Sequence, residues 1–106
     1  MIIKKILIFL FLICTTFNTF AEAEKESYDA MCLLVQDSLA QNLEPTARLT
    51  YINKHFDARV GADDIKEAFD LIFQVEPNKR YLVFKHAVEN SLGQPWDCTA
   101  LSDFFE

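Results

Sequence analysis

Two cysteines, Cys32 and Cys98, constrain this chain more than any other feature, because a bond between them forces everything in the intervening segment to fold back on itself. Whether they pair depends on the compartment, and the first residues bear on that. Lys4 and Lys5 precede the unbroken apolar run Ile6 to Cys14, and Thr19, Phe20 and Ala21 follow before an acidic segment. A positive end, a short apolar middle and a small residue at the exit make up a secretory signal peptide. A membrane-spanning helix needs about 20 apolar residues, whereas Thr15, Thr16, Asn18 and Thr19 interrupt this run, so a permanent anchor is the weaker reading. Lipidation of Cys14 is rejected because Ile13 occupies the position where such signals want Gly, Ala or Ser. Cleavage is expected between Ala21 and Glu22, which leaves residues 22–106 as one domain exported to the periplasm.

An exported small domain meets oxidising conditions, where an even cysteine count reads as a disulfide. The expected bond is Cys32 to Cys98. The two lack the Cys-x-x-Cys spacing of redox enzymes, so a reactive thiol pair is the poorer reading. Closing so long a loop stabilises a fold by about 4 kcal/mol in the chain-entropy model. That is comparable with the whole net stability of a domain this small, whose core alone is only marginally stabilising.

Charge narrows the partners. The full chain carries 10 Lys and Arg against 16 Asp and Glu, a net charge of −6, and loss of Lys4 and Lys5 with the leader deepens this to −8. A chain so acidic, with no cluster of Lys and Arg, is repelled by phosphate backbones and by anionic membrane surfaces. Nucleic acid is not expected as a partner, nor is adhesion to an anionic membrane, and the short apolar run argues against stable membrane insertion after cleavage. Acidity is compatible with plain solubility or with electrostatic steering of a basic protein partner.

The apolar pattern predicts helices. Residues Ala23 to Ser27 are charged and expected to be loose, with Ser27 as an N-cap. From there Tyr28, Met31, Cys32, Val35, Leu39 and Leu43 recur at spacings of three and four, so they share one helix face. Pro45 suits the first turn of a second helix, since its missing N–H has no partner there. Leu49, Ile52 and Phe56 form its stripe, and Gly61 should stop it.

Asp64, followed three residues later by Glu67, has the spacing of a capping box for a third helix. Its apolar face is Ile65, Ala68, Phe69, Ile72 and Val75. Glu76 and Pro77 open a fourth, with Tyr81, Phe84, Val88 and Leu92 facing inward and Gly93 as its stop. A short last helix carries Leu101 and Phe105. With two glycines and no sustained two-residue alternation, hairpins are not expected. The predicted fold is all-α, a small four-to-five-helix orthogonal bundle closed by one disulfide.

Glu44-Pro45 to Arg48 and Glu76-Pro77 to Arg80 match each other, and Lys54-His55 and Lys85-His86 add a looser match. Two helices beginning with the same N-terminal chemistry produce this without duplication.

No chemistry-bearing motif stands out. His86 and Glu89 have metal-ligand spacing, but His55 is the only other histidine, so the ligand set is incomplete and no metal or cofactor is expected. Asp63, Asp64 and Glu67 could be imagined as a general acid/base group, yet capping and the helix dipole already account for carboxylates there. Gly-rich phosphate loops, Gly-x-Ser-x-Gly elbows and recognisable nucleophile–base pairs are absent from the sequence, so no enzyme is expected. Trp96, two residues before Cys98, either packs over the disulfide or projects as a binding anchor, and core packing is favoured because tryptophans are highly buried on average.

The segment Val60 to Cys98 resembles the Rap/Tai-type immunity proteins of type VI secretion. The residues that carry the resemblance are Gly61, the amphipathic helix after it, Pro77 with Arg80, the apolar positions Leu82, Ala87, Val88 and Leu92, and Trp96 before Cys98. Members of that family are small, helical, exported proteins that neutralise a toxin delivered into the periplasm. The resemblance therefore implies a protein partner and a role in immunity. Acidic residues Asp63, Asp64, Glu67 and Asp70, with Trp96, are the candidate partner contacts. The alternatives are a small acidic periplasmic chaperone that loosens as its carboxylates protonate, and a structural subunit of an envelope complex.

Overall fold

Proline and glycine set most of the element boundaries. The computed structural model describes residues 24–105. The expected leader, its cleavage point at Ala21 and Glu22, and Cys14 lie outside them. Helix α1 covers residues 24–40, α2 Pro45–Arg59, α3 Asp63–Leu71, α4 Arg80–Leu92 and α5 Thr99–Phe105. Short 3-10 turns at Ile72–Gln74 and Pro77–Lys79 link α3 to α4. Among the described residues there is no strand, and the fold is all-α as expected.

Pro45 takes the first position of α2, after Glu44 in extended conformation. Gly61 and Gly93 terminate α2 and α4 with left-handed φ values of +65° and +68°. Gly61 N–H and Val60 N–H both return to the Phe56 carbonyl, and Gly93 N–H returns to Glu89. These bonds occupy carbonyls that a helix end leaves without partners.

Several boundaries depart from expectation, among them the end of α3 at Leu71, which leaves Ile72 in a 3-10 turn and Val75 extended beyond it. Residues 24–27 are helical rather than loose, so Ser27 lies inside α1 and is not its cap. The Lys25–Asp29 ion pair, four residues apart at 3.2 Å, supports this first turn, and the Ser91 hydroxyl donates to Glu24 at 3.2 Å. At its far end α1 stops at residue 40, where Asn42 adopts φ +56°, so Leu43 sits in the connection and not on the helix face. Pro77 opens a 3-10 turn and the α-helix follows at Arg80.

Buried side chains from all five helices form one cluster. Met31, Leu34 and Val35 of α1 meet Ile52 and Phe56 of α2, Phe69 of α3, Val88 of α4 and Leu101 of α5, all essentially solvent-free. The aromatic part centres on Phe69, whose ring lies 5.4 Å from Phe73, 6.1 Å from Phe104 and 6.3 Å from Phe105, centroid to centroid. Ser38 is buried too, and its hydroxyl donates to the Val35 carbonyl at 2.6 Å, so the polar atom is satisfied within its own helix.

Cys32 and Cys98 are joined, 66 positions apart in sequence and 5.9 Å apart at Cα. The bond ties α1 to the segment just before α5, so the first and last helices are linked directly.

Candidate functional site

The acidic residues singled out in the sequence lie on α3, and the local start of that helix decides how they are used. The helix begins at Asp63 with Ala62 as N-cap, and no side chain caps it. The capping box expected from Asp64 and Glu67 is therefore not formed: the helix starts two residues too early for Asp64 to be the cap. Asp63 and Asp64 instead sit in the first turn, where the exposed N–H groups and the helix dipole favour negative charge. Asp70 is neutralised by Lys66 four residues before it, at 2.7 Å. Among the described residues, Asp63, Asp64 and Glu67 form no ion pair, and all three are exposed.

Beside these carboxylates runs an apolar groove of about 200 Å³ between α3 and α4. Ala68, Leu71 and Val75 form one wall, Val83 and Ala87 the other, and Ile72 and Phe84 the floor. Leu71 and Val83 are 52% and 43% exposed, large values for apolar side chains. Helical spacing puts acid and apolar groups together: Asp64 is four residues before Ala68, and Glu67 four before Leu71. The result is a greasy cleft with unpaired negative charge along its α3 rim.

A second constellation, which the sequence reading missed, clasps the chain between α4 and α5. Tyr81, Lys85 and Glu89 recur every four residues along α4 and each holds the passing segment. The Tyr81 hydroxyl donates to Asp97 and accepts the Cys98 N–H at 3.2 Å. Lys85 lies 3.6 Å from Asp97, and Glu89 accepts the Trp96 N–H at 3.0 Å. Burial, followed by the bond to Asp97, raises the Tyr81 pKa above its ordinary value. The Tyr81 hydrogen bond, aided by the Lys85 charge, holds Asp97 below the usual carboxylate range. Spacing alone makes Tyr81 one more inward-facing position, and the signal for its second role is the Lys85 and Glu89 register beside it.

Trp96 is 5% exposed and packs between Tyr28, at 6.1 Å, and Phe84, at 6.4 Å, while its indole N–H donates to Asp29 at 3.0 Å. The ring is a core side chain, as favoured from the sequence. It packs on the Phe84 that floors the α3–α4 groove and is not an exposed anchor beside the α3 acids.

His86 and Glu89 share α4, but no third ligand joins them among the described residues. Glu89 is engaged with the Trp96 backbone, His86 is exposed, and His55 sits against Tyr51 with ring centroids 4.5 Å apart. Among the described residues no three His, Cys, Asp or Glu side chains come together as a metal site, and no helix is long and apolar enough to cross a membrane. No protein-family model, curated protein or solved structure matches this chain.

Proposed function

We propose that this chain is an exported, non-enzymatic protein-binding domain that docks a basic, amphipathic segment of its partner in the acid-rimmed groove between α3 and α4. The observation that carries the reading is the pairing of exposed Leu71 and Val83 with the unpaired carboxylates Asp64 and Glu67. An apolar side chain entering this cleft leaves water, and a flanking Lys or Arg finds a carboxylate without a competing cation. The acidic balance of the chain steers such a partner over distances of about a Debye length. In its most concrete form the role is immunity, in which the domain occludes a secreted toxin in the periplasm. That form rests on the resemblance of Val60 to Cys98, a segment that contains both walls of the groove. The leader-like residues 1–21 and the coupled cysteines support export.

The test is affinity capture from periplasm with the mature, oxidised protein, beside Leu71→Glu and the double variant Asp64→Lys/Glu67→Lys. One stoichiometric basic partner at neutral pH, lost with either variant while the helical circular dichroism is unchanged, is the expected result. Absence of a single partner, or a partner that both variants retain, overturns the reading.

A further inference from the structure

The two Glu-Pro-x-x-Arg stretches meet in space. Pro45 and Arg48 from the start of α2, and Pro77 and Arg80 from the turn before α4, line one groove of about 350 Å³. Its apolar surface comes from Phe73, Phe104 and Phe105. The similarity that the sequence presents as two helix starts is, in the fold, a pair of arginines lining one aromatic-walled cleft.

The two arginines differ in what already holds them. Arg80 Nε donates to the Val75 carbonyl at 2.8 Å and Nη2 to the Phe73 carbonyl at 2.9 Å, with the guanidinium 5.3 Å from the Phe73 ring centroid. It is fixed in place with N–H groups to spare, since a guanidinium offers five. Arg48 has no such anchor. Its Nε is buried and has no hydrogen-bond partner, and neither arginine forms an ion pair among the described residues. A buried donor left without an acceptor costs free energy of folding, so the Arg48 guanidinium gains from any turn of the side chain that brings it to an acceptor in the groove.

The surroundings define that acceptor. Guanidinium pairs grip carboxylates and phosphates through parallel N–H bonds. Glu44 and Glu76, exposed and each directly before one of the two prolines, disfavour a dianion at the rim, and Glu76 already has Lys79 as its own counter-ion at 3.4 Å. Phenylalanine walls call for an apolar body behind the charge. The volume lies at the small end of ligand clefts.

We infer that this groove is a binding site for a monoanionic carboxylate carrying a compact apolar or aromatic group, gripped by Arg48 and Arg80. Two sources share that chemistry: a free apolar acid and the C-terminal residue of a peptide. The inference is independent of the α3–α4 groove and of the partner docked there.

The experiment is a titration of ¹⁵N-labelled protein, followed by NMR, with 4-phenylbutyrate and with N-acetylphenylalanine, each against its neutral amide. Shifts at Arg48, Arg80, Phe104 and Phe105, with the acid bound about tenfold or more tightly than its amide, are expected. Arg48→Gln removes the preference for the acid, and Arg48→Lys retains part of it. Arg48→Gln is chosen because Arg48 makes no side-chain bond on which the fold depends. Response to both acids assigns the site to peptide ends as well as free acids, and response to phenylbutyrate alone assigns it to free acids. Equal binding of acid and amide, an acid preference that survives Arg48→Gln, or no response at about 10 mM acid overturns the inference.

Discussion

The Tyr81 hydroxyl joins the Asp97 carboxylate to the Cys98 backbone N–H, and through Cys98 to the disulfide. One side chain on α4 therefore positions the covalent link between α1 and α5. The strap from Pro95 to Cys98 has no regular secondary structure, and its order comes from bonds to α4 and from the indole contact with Asp29.

Tyr81→Phe removes the acceptor of the Cys98 N–H and lowers stability by about 1 kcal/mol near neutral pH. The pH dependence of this loss has a definite sign. Asp97 titrates below its ordinary 3.8 in the fold, so its contribution is present above that pH and disappears as acid protonates it. Tyr81 titrates above its ordinary 10.0, so its contribution is present below pH 10.0 and disappears as the hydroxyl ionises. The stability difference between the native protein and Tyr81→Phe should be greatest between these limits and shrink at both ends. Urea denaturation across the pH range measures it, and a constant difference would contradict the assignment.

Reduction of Cys32–Cys98 should cost about 4 kcal/mol, the entropy of opening a loop of 66 positions. Guanidinium unfolding of the oxidised protein, with and without reductant, gives the difference directly. A midpoint that does not move would show that tertiary packing alone confines the two ends.

Gly61 and Gly93 both require left-handed backbone, yet they should not tolerate alanine equally. A Cβ at Gly93 meets nothing within 4 Å, so Gly93→Ala carries only the conformational cost of about 1 kcal/mol. At Gly61 the Cβ would lie 3.2 Å from the Asp57 carbonyl oxygen, and Gly61→Ala should be the more destabilising of the two. Thermal melts of the two variants test the order, and asparagine, which visits this region more readily, should restore part of the loss at Gly93.

Local chemistry was legible in the sequence and tertiary meetings were not. Pro45, Gly61 and Gly93 mark their boundaries because each fixes or frees the backbone at its own position. The single stripe drawn along α1 omitted Leu34 and Ser38, both fully buried, because a helix crossed by several neighbours buries more than one narrow face. Ser38 was hidden further by its polarity, which the Val35 carbonyl satisfies. The Asp64–Glu67 spacing fits a capping box, but a helix start two residues earlier turns Asp64 into a first-turn charge and leaves Glu67 without a cap to reach. Of the candidate site, the α3 acids were visible as composition. Their apolar neighbours Val83 and Ala87 arrive from another helix, and no spacing along α3 could announce them. Arg48 and Arg80 illustrate the same limit, since a resemblance between two stretches of chain says nothing of whether they face each other.

The bond between Cys32 and Cys98 encloses every exposed connection from Gln41 to Gln94. A protease that cuts at any of those turns opens the backbone without releasing a fragment. The nicked molecule should migrate as one species on a denaturing gel and fall into two only when thiol is added, so a first cleavage leaves the protein in one piece.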